Sequence, residues 1–484
     1  MNSGLLSMKL LRLSAATLLA TAVLTGCTMG PDYVKPGAVA VQQLKYDQGW
    51  QPMPQQGWAS SGEWWLAFGD DRLTALVEEA NANNQTLAQA AARYRAAFAQ
   101  RRVSRADYSP TLSASVNAAR SGSEASSNIG ENSSARLGIS WELDLWGRIR
   151  RQVESDTAAL DASAADLAAA RLSIQLAVVN SYINLRSLDV QNLILGQTLT
   201  SSARSAELTR NQYDAGIVSR ADVIQAETQL QSLRSDLYDL QNQRAIEENT
   251  IAALQGRAPV AFELAAAEAL PNIPAIPSQL PAELIARRPD VVSAERAVAA
   301  ANADIGVAIT AWLPTLSLDA SGGVNGESFS DLWNAPVRFW TLGPSLAQTI
   351  FDGGRRSAAK EAAEARYDEQ AAAYRQTVLE SLTDVENSLA TVSILREKAV
   401  QQDKLVRLAE ENERVITNRY QSGLVSYLEV VIAQNARLNA RRGQVSVTVN
   451  QLSAAAQLAA SIGGSWQVGD DVGDAAQRPL QAQP

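Results

Sequence analysis

The sequence predicts an α+β membrane protein built on a tandem internal repeat, and three observations predict it. The chain of 484 residues carries one Gly-centred interruption twice, "NQYDAGIVSRADV" from Asn211 and "NRYQSGLVSYLEV" from Asn418, 207 positions apart. Around each interruption run long stretches almost without Gly or Pro. Each repeat also holds a pair of segments that alternate apolar and polar with period 2, the pattern of a two-faced strand.

The repeat comes first, because a missed repeat misreads the whole fold. Residues 83–110 align without gaps on 287–314, closing on Pro110-Thr111-Leu112-Ser113 and Pro314-Thr315-Leu316-Ser317. Gly147-Arg148 then matches Gly354-Arg355, and 213–223 matches 420–430. The expected organisation is a leader over 1–26, an N-terminal segment over 27–71, repeat 1 over 72–256, a Pro-rich connector over 257–281, repeat 2 over 282–464 and a polar tail over 465–484.

Each repeat is expected to open with one helix, 72–107 and 282–312, stopped at Tyr108-Ser109-Pro110 and Trp312-Leu313-Pro314 because proline lacks a donor and restrains its predecessor. A β-hairpin follows, over 111–146 and 315–352. In "RLGISWELDLWG" Leu137, Ile139, Trp141, Leu143 and Leu145 share one face, and Arg136, Gly138, Ser140, Glu142 and Asp144 the other. "SGSEASSNIGENSS" reads as the polar loop of the first hairpin and "SGGVNGESFSD" as that of the second, whose return strand carries Leu342, Leu346 and Ile350. Strands of about 10–12 residues result, close to a tilted membrane strand.

Long helices come next, 148–212 and 355–419. The second lacks Gly and Pro throughout and measures about 98 Å at 1.5 Å per residue; the first is interrupted only by Gly196. Val378, Leu382, Val385, Leu389 and Val392 step as a coiled-coil seam. The tip turns, 213–222 and 420–429, lead to returning helices that end near Leu254 and Ile462.

Composition narrows the function classes. Hydrophobic residues make up 46% and aromatics only 6%, which favours Ala-rich helices packed closely. The net charge of −9 argues against a nucleic-acid binder, and the absence of histidine removes the usual general base and metal ligand. Nucleophile–His pairs, zinc motifs and a Walker A loop are missing, so neither catalysis nor a cofactor or metal is expected. Asp70-Asp71, just before "RLTALVEEA", reads as a helix cap. Lys9 and Arg12, the apolar run that follows and Leu24-Thr25-Gly26-Cys27 read as a signal peptide, with the single cysteine where a lipidation motif needs it. After the leader no segment is expected to be apolar enough for a spanning helix, so strands must make any crossing.

Four strands cannot close a barrel, and open edges are not tolerated in lipid. The strands therefore form either a soluble sheet or a barrel pooled from several chains. The regular apolar face favours pooling, as do Tyr108, Trp146, Trp312 and Phe351 at the strand ends, placed like an interfacial girdle. Physics alone allows two, three or four chains. Arg148, Arg150, Arg151, Arg355 and Arg356 are open between lipid headgroup contacts and solvated first-turn charges.

The lipidation motif, "GPDYVKP", "WWLAFGDDRL", the duplicated plan and the two Tyr-x-x-Gly-x-x-Ser-x-x-acid turns resemble the TolC-like outer-membrane factor family, in its lipoprotein branch. The resemblance covers essentially the whole chain after the leader. It implies a homotrimer with a 12-stranded barrel continuous with an α-helical periplasmic barrel, and an equatorial belt from the connector and terminal segments. It also implies outer-membrane lipid around the strands, lipidation at Cys27, and a periplasmic adaptor fed by an inner-membrane RND-type transporter. The expected function is the exit duct of a drug or toxic-compound efflux system. The alternatives are a type I protein-secretion channel and a coiled-coil periplasmic lipoprotein without a pore.

At the turns, Gly216 and Gly423 suit a left-handed helix end, while Ser219 and Ser426 with Asp222 and Glu429 read as capping boxes. A second reading makes Asp222 and Glu429 a carboxylate ring at a periplasmic mouth. By resemblance, Tyr213, Asp222, Tyr420 and Glu429 gate that mouth, and Gly216, Val218, Ser219, Gly423, Val425 and Ser426 form the adaptor-docking rim. Val425 and Ile432 stand where some relatives carry a charged or polar gate residue, so the relatives' lock does not carry over directly.

Overall fold

The computed structural model describes residues 28–37, 63–123, 126–274, 286–334 and 336–464. The leader, Cys27, most of the segment that follows it, the last part of the connector and the tail lie outside the described residues. In chain order the elements are α1 (Asp71–Asn83), α2 (Gln85–Ala106), β1 (Thr111–Ser123), β2 (Ser126–Leu143), α3 (Arg148–Asp214), α4 (Arg220–Leu254), α5 (Pro289–Thr310), β3 (Thr315–Gly326), the short α6 (Asp331–Asn334), β4 (Val337–Ala347), α7 (Arg355–Gln421) and α8 (Tyr427–Ser461). They divide between two compact units.

The first unit holds the strands, the ends of the helices joined to them, and the first described residues of the chain. Its sheet has the order β1-β2-β3-β4, antiparallel throughout. Leu112 faces Ile139, Ile139 faces Ala320, and Ala320 faces Leu342, so one face is apolar across all four strands. On the other face Ser140 donates to Asp319 at 2.8 Å, Ser317 donates to the same carboxylate at 2.9 Å, and Ser321 meets Thr341 at 2.8 Å. Leu112, Val116, Leu137, Ile139 and Leu342 are exposed, so this chain alone does not cover its apolar face. β1 and β4 each pair on one side only among the described residues.

Two sequence expectations change here. The stretch read as a polar loop is strand, because β1 runs to Ser123 and β2 starts at Ser126. Serine and asparagine weaken a strand but do not bar it when both ladders continue, and Arg120 pairs across with Glu131 at 3.3 Å. In the second hairpin β3 likewise runs to Gly326, and β4 ends at Ala347, which leaves Ile350 outside the strand.

The N-terminal residues lie against this unit. Met29 donates its N–H to Trp146 O at 3.1 Å, and Asn302 Nδ2 donates to Pro31 O at 2.9 Å. The Arg151 side chain, 3% exposed, donates to Met29 O at 3.0 Å and to Asp32 Oδ1 at 2.9 Å. Tyr33 donates to the Glu295 carboxylate. Gly30 crosses α5 at Gly306, where a Cβ on Gly30 would stand 2.5 Å from the Gly306 Cα, so only glycine fits the crossing.

In the second unit, Trp64, Trp65 and Phe68 form a one-turn-plus 3-10 segment that buries itself with Leu73, Leu76 and Val77 of α1. This core continues through Val178, Val179, Tyr182 and Ile183 of α3 and Leu452 and Ala456 of α8. Asp70 caps α1, accepting from Arg72 N at 2.9 Å and Leu73 N at 3.0 Å. Its other oxygen accepts the Tyr182 hydroxyl at 2.7 Å, and burial pushes that phenol up to about 12. Below Tyr182, Arg186 and Arg244 converge on Asp189 at 2.9 and 2.7 Å and donate to Ala265 O and Leu264 O, pinning the first part of the connector. A second seam joins Val385, Leu389, Val392 and Leu395 of α7 to Ala454, Leu458 and Ile462.

The single helix expected over 72–107 is two helices. Asn84 leaves helical geometry at φ −64° and ψ 128°, and its Oδ1 accepts from Thr86 N at 2.8 Å and Leu87 N at 3.1 Å. One asparagine thus ends α1 and caps α2, while its Nδ2 donates to Leu254 O at 2.7 Å. The repeat-2 counterpart is Arg288, which stands before Pro289 and donates to Ser461 O at 2.9 Å; the helix accordingly begins at Pro289 and not at 282. Gly196 does not interrupt α3, which is continuous over 67 residues, since a lone helical glycine costs only about 1 kcal/mol. One 18-residue window of α3 reaches mean hydropathy 1.3, contrary to the expectation that no helix is apolar enough to span; Val178, Val179 and Ile183 of this helix pack into the Trp64 core.

Candidate functional site

The two turns are built alike up to their caps. Each long helix ends in a left-handed glycine, Gly216 at φ 73° and Gly423 at φ 77°. The backbone closes the end with Gly216 N–H to Tyr213 O at 2.8 Å and Ile217 N–H to Gln212 O at 2.8 Å. At the second tip the same bonds run from Gly423 to Tyr420 O and from Leu424 to Arg419 O, both at 2.9 Å. This pairing satisfies the orphan carbonyls of a helix end and requires positive φ, which is why both positions are glycine.

Beyond the glycines the copies differ. Ser219 Oγ accepts from Asp222 N at 3.3 Å, and Asp222 Oδ2 accepts from Ser219 N at 3.0 Å and Ser219 Oγ at 2.7 Å, a complete capping box. Ser426 occupies the equivalent cap with ψ 160° but makes no side-chain cap bond, so the second capping box expected from the sequence does not form. Glu429 follows as an exposed acid in the first turn of α8. Glutamate is one methylene longer than Asp222, and at this turn neither its carboxylate nor Ser426 closes the reciprocal pair.

The tyrosines differ as well. Tyr213 is 40% exposed, whereas Tyr420 is 7% exposed. Tyr420 stacks edge-on against Tyr427 with centroids 5.6 Å apart, and its hydroxyl meets Thr209 Oγ1 at 3.1 Å and donates to Gln212 Oε1 at 2.8 Å. Tyr420 therefore ties the second tip to α3 of the first within one chain. Tyr427 is buried beside it, and burial pushes its phenol up to about 12. Gly216, Ser219, Gly423 and Ser426 are exposed and Val218 and Val425 are half-buried; Ile217 and Leu424, which the sequence reading passed over, protrude between them as exposed apolar side chains.

At the strand ends, Asp144 caps α3 by accepting from Ile149 N and Arg150 N at 3.0 Å each, and Asp352 accepts from Gly354 N and Arg356 N at 3.2 Å each. Most of the arginines left open by the sequence are ion-paired: Arg148 with Glu142 at 2.8 Å, Arg150 with Asp144 at 3.2 Å, Arg151 with Asp32 and Glu154, and Arg356 with Asp352 at 2.7 Å. Arg356 also stacks 4.9 Å from the Trp312 ring. Tyr108, Trp312 and Phe351 are exposed, and Trp146 is half-buried with its Nε1 donating to Pro314 O at 2.8 Å. A cavity of about 280 Å³ opens here between the Glu142–Trp146 stretch and Leu313, Pro314 and Gln348. The sequence reading missed a second set of aromatics at the other end of the sheet, Phe329, Trp333 and Trp340, all exposed; Trp340 shares period-2 parity with Leu342, and that parity was the available signal.

A sheet apolar on one face and, among the described residues, unpaired at both edges, continued along the chain by long helices to capped turns, fits one protomer of a membrane duct made of strands and helices. The comparisons with known proteins agree. A profile of the outer membrane efflux protein family matches residues 76–257 and 280–464. The chain is 30% identical to the pyoverdine export outer membrane protein OpmQ of Pseudomonas aeruginosa over 96% of this chain and 98% of that protein. It is also 30% identical to the cation efflux system protein CusC of Escherichia coli over 92% and 97%. The solved structure of the outer-membrane channel OprN superposes with a TM-score of 0.82 at 30% identity, covering 91% of this chain and all of that one. The chain belongs to the outer membrane efflux protein family. It is an α+β outer-membrane transport channel whose strands span the membrane and whose helices stand in the periplasm.

Proposed function

We propose that three copies of this chain pool their strands into a 12-stranded barrel and their helices into a periplasmic duct, the exit of a tripartite pump that expels small toxic compounds. A periplasmic adaptor and an inner-membrane RND-type transporter supply the substrate, and the duct itself needs no catalysis. The observation that carries this reading is the sheet, apolar over one face and, among the described residues, unpaired at both edges, since such edges are viable in lipid only when a barrel closes them. Membership of the family and the exposed face together set aside the coiled-coil lipoprotein without a pore. In this reading Cys27 carries the acyl anchor, and acyl labelling present in the natural chain and absent from Cys27→Ser checks it.

The tips form the periplasmic mouth at the helix ends opposite the strands. Gly216, Val218, Ser219, Gly423, Val425 and Ser426 receive the adaptor, and Tyr213, Asp222, Tyr420 and Glu429 restrain the opening. Asp222 spends its carboxylate on its own helix cap, whereas Glu429 is free to ring the mouth, where three carboxylates bind cations. In planar bilayers, Glu429→Ala raises single-channel conductance and weakens cation block more than Asp222→Ala does. Equal, unchanged currents in both variants would remove Glu429 from the gate.

A further inference from the structure

We infer that Arg338, with the aromatic side chains of its hairpin, binds the phosphate of an anionic glycolipid in the outer leaflet. The inference rests on the membrane-channel reading above and begins with register. On the apolar face, Leu143, Leu316 and Leu346 make one cross-strand row nearest the helices. Leu137, Gly322 and Trp340 make a row farther out, and Ala135, Val324 and Arg338 the next. From Leu143 to Ala135 along β2 is roughly 27 Å at about 3.4 Å per residue, and somewhat less in height once the strands tilt. An outward apolar band is about 25 Å tall, so the Arg338 row falls just inside its outer border, where a long side chain extends its charged end to the headgroups.

Arg338 is exposed on that face and has no acid partner among the described residues. Other arginines of the sheet are already engaged. Arg120 meets Glu131 at 3.3 Å, and Arg136, on the opposite face, lies 5.3 Å from the Phe339 ring. Trp340, 79% exposed, stands one row inside Arg338, and Phe329 and Trp333 are exposed on the connection leading to it. Amphipathic aromatic rings settle at headgroup depth, and a guanidinium there matches two oxygens of a phosphate. A free cation bordered by exposed indoles at the outer edge of an apolar band has one complementary neighbour, a lipid phosphate.

The test uses the intact oligomer in phosphatidylethanolamine vesicles doped either with bis-phosphorylated lipid A or with the same lipid after dephosphorylation. Lipid retained per oligomer after extraction is counted by native mass spectrometry. The natural protein retains the phosphorylated form about fivefold better per site, the factor typical of one basic residue at an anionic surface, and salt erodes the preference. Arg338→Leu loses the preference and Arg338→Lys keeps part of it. Equal retention of both lipids by the natural protein, or an undiminished preference in Arg338→Leu, overturns the proposal. Salt titration of the natural protein needs no variant to fold, and conductance in the same vesicles reports the duct separately, so failure here is distinguishable from failure of the channel reading.

Discussion

Asp222 and Glu429 occupy equivalent positions in a duplicated turn and do different work. Asp222 closes a reciprocal cap with Ser219, so Asp222→Ala should lower stability by about 1 kcal/mol, while Glu429→Ala, with no cap bond to lose, should leave the unfolding midpoint of the purified oligomer nearly unchanged. Glu295 gives a second prediction at this scale. Burial raises its pKa, but hydrogen bonds from Arg296 and Tyr33 outweigh that and hold the carboxyl below its ordinary value of 4.5. A depressed folded pKa means a contribution fully present above the ordinary glutamate range and lost as pH falls through the lower folded value. Hydrogen-exchange protection at residues 29–33, relative to the intrinsic rate at each pH, should therefore fall on acidification below about pH 4.5, and Glu295→Gln should flatten that dependence. The sequence displayed the Ser-x-x-acid spacing at both tips, but one methylene and the local backbone decide which copy closes. Spacing cannot report that.

Among the elements, the strands and long helices were legible because their periodicities are clean. Four of the five expected alternations, Arg136 to Leu143, lie in β2 and keep one face each, while Asp144 and Leu145 fall beyond the strand's end; the seam from Leu382 to Val392 packs along one face of α7. Boundaries were less legible wherever one polar side chain decides them. Asn84 splits a helix that composition alone joins, because its amide finds Thr86, Leu87 and Leu254 at once. The serine-rich ends of β1 and β2 read as loop, because ladder pairing with a distant partner is invisible to local propensity. The docked N-terminal residues were not anticipated either, since Gly306 looks like any helical glycine until Gly30 lies on it. Gly306→Val should push that crossing apart and also strike Arg151, whose side chain already lies within 3 Å of a Cβ built there. Faster proteolysis at residues 29–37, with helix content unchanged by circular dichroism, is the expected outcome.

For the whole molecule, the two faces of the sheet make opposite demands. Leu137 and Ile139 lie on the apolar face, and Ser140, Asp319 and Thr341 on the polar one. Leu137→Arg should cost about 2–4 kcal/mol and abolish heat-modifiable oligomers in membranes, whereas Ser115→Arg on the polar face should assemble normally and alter conductance instead. The pairing of β2 with β3 also dictates the order in which the molecule can mature. Those central strands belong to different repeats, and α3, α4 and α5 all intervene between them. Closing so long a stretch carries a chain-entropy cost that falls once the intervening helices have docked. Each hairpin can form locally, but their union must wait until the second repeat has left the ribosome and crossed the inner membrane. Until then the chain presents helices to the periplasm and withholds a finished membrane surface, so the duct cannot insert before it is whole.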